Sequence, residues 1–487
     1  MLAAAGCAQG EKSAREPWRG KGAESAQSIG DGKGAEKARG TEGAHSPLPS
    51  EAQVEWQKME MNMFVHFGPN TFSGLEWGTG READDLFRPS ELDCRQWART
   101  AKAAGMSGII LTAKHHDGFC LWPNPVSAHC SKDVDVLREL STACREEGLK
   151  MGVYISPWDR NDPAYGTPEY NERYVQTLRS VHGGAYGPIF EHWFDGACGE
   201  GPNGKRQDYD WPLFNRTVSE LQPDAVQFSD VGPGCRWVGN ENGIAGETNW
   251  STLDVDGYTP GAGAPPVRSL TEGDEYGAAW VPAEADVSIR PGWFWRSSED
   301  GLLKSVDELM EIYYSSVGRN ALLLLNVPAD TRGKIPAADS LRLMEFRARR
   351  DSVFARNLAR RVRVGGGAWI GALGGRSGVA GRRLLDGSFE SHAVLRARSF
   401  VVDLQGSDTF NLLLLQEDIR LGQRISGFTV EAWVGGAWTE IARGTTVGYK
   451  RILRLPPTAA SRLRITITGA HDVPILSEVG VYFDPGA

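Results

Sequence analysis

The chain of 487 residues has no excess of basic charge, no apolar run long enough to cross a bilayer and no closely paired cysteines. Each absence removes a class of function. A net charge of −9 argues against nucleic acid and acidic membrane surfaces as partners, because both select a positive field. Without a stretch of about 20 apolar residues, no transmembrane segment is expected. The seven cysteines (7, 94, 120, 130, 144, 198 and 235) lack CxxC spacing, so a zinc knuckle is not the natural reading. Their odd number is a poor disulfide framework, although pairing among the six within 94–235 stays open. What the chain does have is 16 tryptophans and 59 glycines. An indole offers a flat apolar face and one donor, which suits the C–H face of a sugar ring; for any single Trp a core position is the commoner use.

Taken in order, the chain opens on Met1-Leu-Ala-Ala-Ala-Gly-Cys7, similar to the tail of a bacterial lipoprotein signal but lacking its charged start and most of its apolar stretch. The expectation is export, as a periplasmic, outer-membrane lipoprotein or secreted chain with a possible lipid anchor. Residues 8 to about 50 are rich in Gly, Ala, Lys, Glu and Ser, a composition that buries too little surface to order itself, so 1–50 reads as this start plus a disordered tether. From 51 to 362 apolar strands alternate with amphipathic helices: strands at 61–68, 108–114, 151–156, 188–195, 225–229, 289–295 and 321–327, and helices at 93–105, 133–148, 168–182, 211–221, 303–317 and 337–362. This predicts an α/β fold, a (β/α)8-like TIM barrel, with the Gly/Pro-rich segment 230–288 as an irregular loop region at the active site. Residues 363–487 carry short alternating strands separated by turns and predict a C-terminal β-sandwich.

The run Pro188-Ile-Phe-Glu-His-Trp-Phe-Asp195-Gly196 is apolar, too short for a helix, and stops at a carboxylate. That is the pattern of a buried strand delivering one charged group to its C-terminal end, where a parallel barrel keeps its chemistry. Asp195 reads as a catalytic carboxylate or, alternatively, as a cap on the next helix or turn. Other strand ends carry His66, Lys114-His115-His116-Asp117, Trp158-Asp159, and Trp293-Phe-Trp295, with Glu76-Trp77 in the first loop and Asn240-Glu241-Asn242 in the long one. Histidines with carboxylates could hold a metal that activates water. Against this, HxH and HExxH spacings are missing, and adjacent His115 and His116 on a strand would face opposite ways. The other chemistry is glycoside hydrolysis, which needs two carboxyl groups flanking the scissile bond and aromatic surface for the sugar.

Met63-Phe-Val-His66-Phe-Gly68, Glu76-Trp77-Gly78, Ala113-Lys-His115-His116-Asp117-Gly-Phe119, Tyr154-Ile-Ser-Pro-Trp158, Trp193-Phe-Asp195-Gly196, Trp237-Val-Gly-Asn-Glu241 and Leu324-Leu-Asn326-Val-Pro328 closely resemble the α-L-fucosidases of glycoside hydrolase family 29, over about 55–345. The downstream region is similar to the galactose-binding-like sandwich carried by many of these enzymes. The resemblance implies an exo-acting, retaining hydrolase that releases α-L-fucose from fucosylated oligosaccharides or glycoconjugates through a covalent intermediate, with no metal and no organic cofactor. It implies Asp195 as nucleophile, and His66, His115 and His116 as ligands of the fucose hydroxyls. Trp158, Glu76 and Trp77 would lie beside the sugar, and Trp293 or Trp295 against its methyl group. Glu241, 46 positions after Asp195, is the implied acid/base, with Glu247 and Glu284 as rivals. The Glu241 segment resembles the branch that prefers α-1,3/1,4 linkages. The competing classes are a non-catalytic fucoside-binding protein and a metal-dependent TIM-barrel hydrolase. For the sandwich, glycan binding competes with a packing role.

Overall fold

The computed structural model describes residues 47–486 except 366–369, 372–378 and 405. The lipobox-like start and most of the expected tether lie outside the described residues. The first described element is helix α1 (Glu51–Lys58), fixed by a capping box in which Ser50 and Gln53 each bond the other's backbone. Eight parallel strands follow: β1 (Met61–Val65), β2 (Gly108–Lys114), β3 (Lys150–Ile155), β4 (Glu191–Trp193), β5 (Val226–Ser229), β6 (Cys235–Trp237), β7 (Ala283–Ser288) and β8 (Ala321–Asn326). They close in sequence order, β8 pairing back onto β1, so the fold is a TIM barrel.

Period-two alternation sorts each strand's side chains into two layers. Phe64, Ile110, Tyr154, Trp193, Phe228, Leu322 and Leu324 fill the interior together with Trp56 of α1. Met63, Val65, Ile109, Leu111, Val153 and Ile155 face outward into the layer shared with the helices. Those helices are α2 (Cys94–Ala103), α3 (Val136–Glu147), α4 (Pro168–His182), α5 (Trp211–Leu221), α6 (Val306–Ser315) and α7 (Ala337–Phe354). Asp93, Asp135, Asp210 and Ser305 cap four of them through the N3 amide, and Gly148 ends α3 at φ 72°, a left-handed turn that glycine adopts without strain.

Two expectations need correction. The segment 230–288 is not all loop: it contains barrel strands β6 and β7, and the strand expected over 289–295 is instead β7, six residues earlier. The helix expected to run to 362 ends at Phe354. No helix separates β5 from β6, which are joined by residues 230–234 alone. After β6 the chain makes an irregular excursion with one short helix (Val267–Glu272) and a two-stranded ribbon, Thr252–Leu253 with Ala279–Trp280.

From Ala359 the chain is antiparallel β, beginning inside the span expected for the barrel helix. A six-stranded and a four-stranded sheet enclose one apolar core. The four-stranded sheet includes Thr409–Glu417, a strand buried along nearly its whole length and missed by sequence reasoning. The sandwich meets the barrel at the N-terminal ends of the strands: Asn320, just before β8, bonds Lys450 and Tyr449, and the Asn249 amide N–H donates to Thr446. The six cysteines between 94 and 235 are free thiols. No described helix is long and apolar enough to cross a membrane.

Candidate active site

The alternation that fills the barrel also aims its chemistry. Continuing the inward register past the apolar layer brings His66 above Phe64, Ser156 above Tyr154, Asp195 above Trp193 and Asn326 above Leu324, all at the C-terminal mouth. Asp195 is about one-quarter exposed. Its Oδ2 accepts the Tyr154 hydroxyl at 2.8 Å and lies 3.7 Å from His116 Nε2. Its Oδ1 accepts the amide of Ala197 at 2.8 Å, so the carboxylate does shape the following turn, while helix α5 is capped by Asp210 instead.

The three imidazoles are brought together. His115 and His116 sit with ring centroids 4.2 Å apart, and His66 is 5.8 Å from His115. The expectation that the adjacent pair would face opposite ways fails because β2 ends at Lys114, and both histidines occupy the turn beyond it. Asn326 fixes the state of His66. Its amide donates to Ser288 and to the carbonyl of Trp293, both at 2.9 Å, so its Oδ1 receives the Nδ1 proton of His66 at 2.8 Å and leaves Nε2 as an acceptor. His116 Nδ1 meets the Ser156 hydroxyl at 2.8 Å, and the facing Asp195 carboxylate favours the proton on Nε2. Burial drives His115 well below the usual imidazole range, with His116 adding to the effect. It therefore stays neutral, and its buried Nδ1 has no hydrogen-bond partner. A neutral ring suits a sugar hydroxyl, which can donate or accept.

Aromatic walls surround this cluster. Trp158 packs 4.7 Å from His116 and 5.9 Å from the exposed Trp77, and its indole N–H donates to the carbonyl of Glu200. Gly199 makes that packing possible, since a Cβ there would fall 2.0 Å from the Trp158 ring. On the far side Trp293 lies 5.0 Å from His66, and Phe294 stands edge-on to both His66 and His115. Of the two candidates for the methyl wall, Trp293 faces the cluster, whereas Trp295 turns to Asp300. Glu76 reaches the same wall through its neighbours: its carboxylate accepts the Trp293 amide at 2.7 Å and pairs with Arg296.

The three candidate acids separate clearly. Glu241 is exposed on the loop after β6, where Asn242 bridges to Val287 near the end of β7. Glu247 lies toward the opposite end of the barrel, its carboxylate 3.6 Å from Arg319 and its carbonyl bound by Arg451. Glu284 is wholly buried within the barrel and accepts the Trp193 indole N–H at 2.8 Å.

Sequence reasoning singled out neither Tyr154, Asn326 and Phe294 nor two carboxyl groups that feel the charge of Asp195. Asp286 accepts the Trp237 indole N–H at 2.9 Å and is pushed up to about 8, chiefly by burial, with Glu284 adding. Half-buried Asp230, at the end of β5, is pushed up to about 6 by burial and by the charge of Asp195. The inward register of their strands was the available signal.

A parallel barrel with a carboxylate, a cluster of imidazoles and aromatic walls at its mouth has the parts of a glycosidase-type site. Comparison with known proteins agrees. The family model described as alpha-L-fucosidase matches residues 43–348. Alpha-L-fucosidase 1 of Arabidopsis thaliana is 42% identical over 453 residues, 90% of this chain and 88% of its own. A glycoside hydrolase 29 family member from an unknown rumen bacterium is 40% identical with a TM-score of 0.79, over 90% of this chain and 78% of its own. A Ruminococcus gnavus GH29 fucosidase solved in complex with fucose is 32% identical with a TM-score of 0.79, over 92% and 98%. The chain belongs to the α-L-fucosidase family, glycoside hydrolase family 29. Its activity is that of an α-L-fucosidase acting on fucosylated glycans.

Proposed function

We propose that this α-L-fucosidase works by retention, with Asp195 as nucleophile and Glu241 as acid/base, on branched α-1,3/1,4-fucosylated glycans. The observation that carries the reading is the setting of Asp195: a carboxylate held by Tyr154, faced by His116 and open to solvent on one side. In the first step Asp195 attacks the anomeric carbon, the glycosidic C–O bond breaks, and Glu241 gives its proton to the leaving oxygen. In the second, Glu241 takes a proton from water, whose oxygen displaces Asp195 and releases fucose. His66, His115 and His116 grip the hydroxyls, Trp158 and Trp77 line one side, and Trp293, held by Glu76, lines the methyl side.

Support for Glu241 is its place on a loop at the mouth, together with the Trp237-Val-Gly-Asn-Glu241 motif. That motif also supports the linkage preference. Proton NMR of the first-formed sugar tests retention: α-fucose is expected ahead of mutarotation, and β-fucose would rule the mechanism out. Comparing an aryl α-fucoside with branched and linear oligosaccharides tests the linkage, and faster release from linear α-1,2 chains would remove that part. The reading includes export with a lipid anchor at Cys7, supported by the small residues before it. Fractionation of cells expressing the full-length gene checks it, and recovery wholly in the cytosol would refute it.

A further inference from the structure

Below the mouth, three strands point acidic groups at one another. Glu191 of β4, Cys235 of β6 and Glu284 of β7 are fully buried, and a ligand-type atom from each lies within 4.8 Å of the others. The outer oxygens are taken: the indole of Trp56, rising from α1, donates to Glu191 Oε2 at 2.7 Å, and Trp193 donates to Glu284 Oε1 at 2.8 Å. Cys235 Sγ is 3.9 Å from Glu191 Oε1. That leaves Glu284 Oε2 facing the cluster, buried and without a partner. The guanidinium beside this layer, Arg236, points away and is bound by the carbonyls of Leu270, Val281 and Trp250 and by Asn249. Two carboxylates this close and this dry cannot both ionise.

We propose that Glu191 and Glu284 share a single proton, and that the resulting acid pair is a positioning device for the nucleophile. Its upper member anchors the Trp193 indole, which stacks on Phe228 at 3.7 Å and on Tyr154 at 5.4 Å. Tyr154 in turn holds Asp195. The pair thus sets the height of the ring on which the nucleophile's hydrogen-bond donor rests. Burial pushes Glu191 up to about 7 and Glu284 well above the usual carboxyl range, the latter also by the charge of Glu191. The other titratable groups facing the pair are the Cys235 thiol, which burial keeps neutral, and Asp286, two residues along β7. No charged group of α1 makes a hydrogen bond to the pair; it meets α1 through Trp56.

The inference rests on Asp195 being the nucleophile, and the test separates the two. Glu284→Gln keeps the shape, stays neutral, and can accept from Trp193 while donating to Glu191. It is expected to hold kcat and KM within about twofold below neutrality and to remove the part of the alkaline loss of kcat that goes with deprotonation of the pair, leaving the part set by Glu241. An infrared difference spectrum against wild type should show the loss of one protonated-carboxyl band. Glu284→Leu, which removes the acceptor, should lower kcat about tenfold or more with little change in KM. Asp286→Asn controls for the third carboxyl and should leave that infrared band in place. If Glu284→Gln leaves the pH limb and the band unchanged, or if wild type carries a stoichiometric divalent ion that Glu284→Gln loses, the shared proton is overturned. Should Glu284→Leu fail to fold, Glu191→Gln gives the same infrared and pH readouts. Were Asp195 not the nucleophile, Asp195→Ala would stay active while the band and the pH effects of the pair persisted.

Discussion

The two ends of the barrel use polar side chains in opposite ways. At the N-terminal end, where the sandwich docks, Glu417, Asn320 and Gln423 form a buried hydrogen-bonded knot. Glu417 accepts three backbone amides, from Gly448, Arg424 and Ile425, at 2.8–3.0 Å. Asn320 accepts from Tyr449 and donates to Ser251 and to the carbonyl of Asn249, while Gln423 ties Ser251 and Asn249 to the same knot. At the mouth, His115 Nδ1 has no partner, Asp195 keeps about one-quarter of its surface and Trp77 is 47% exposed. A buried hydrogen-bonded network fixes two bodies in one arrangement; a carboxylate and an indole left open to solvent are surface that a ligand can meet.

Four substitutions break or sharpen that contrast. Asp195→Ala should lower kcat by about 10⁴-fold or more with the melting temperature little changed, and azide should restore part of the turnover by replacing the lost nucleophile. Near-normal activity in that variant would remove the mouth from the chemistry altogether. Glu241→Ala should slow substrates with poor leaving groups by about 10²–10⁴-fold, and an activated aryl fucoside far less. An equal loss on both substrates would deny it the acid role. At the other end, Glu417→Ala strands three buried amides and should cost about 2–4 kcal/mol in denaturant unfolding, with kcat of the folded fraction within about twofold. A catalytic defect there as large as the stability defect would erase the division.

The smallest effect concerns the outer face of β4. His182 Nε2 and His192 Nδ1 meet at 2.8 Å, and burial holds His182 down at about 3 and His192 well below its usual range. A depressed imidazole contributes stability above the unfolded value near 6.5, and that contribution is lost as pH falls, because only the unfolded chain takes up the proton. His182→Leu should flatten the fall in stability between about pH 6.5 and 4 by up to about 1.4 kcal/mol per pH unit. Parallel curves for variant and wild type would show that the pair is not held neutral.

Strands with an outward apolar face and an apolar interior were legible as runs, and the position of Asp195 at the end of β4 with them. β6 and β7 were not, for a physical reason. Cys235-Arg236-Trp237 is three residues long with a buried arginine at its centre, and Ala283-Glu-Ala-Asp-Val-Ser288 turns its polar positions inward. A strand whose interior face carries the site's own carboxyl groups reads as a polar surface segment. The histidines could be named from sequence, but not the convergence of His115 and His116, which depends on where β2 stops. Tyr154 and Asn326 were visible as letters; that one holds Asp195 and the other bonds His66 is a matter of distance.

The link of residues 230–234, which leaves no room for a helix between β5 and β6, divides the mouth into two halves of different kind. His66, His115, His116 and Trp158 come from the half built on β1 to β3, where each strand is backed by a helix locked into repeating ridges. Glu241 comes from the half backed by the irregular excursion, whose layer Val231, Leu253 and Val281 hold together without a helical repeat. A helical layer tolerates few insertions, whereas an irregular one tolerates many. The residues proposed to grip the fucose ring therefore stand on the helix-backed half of the scaffold. If Glu241 is the acid, the side that meets the departing sugar stands on the irregular half, where loop changes are physically cheapest, so the glycan could change while the sugar stays the same.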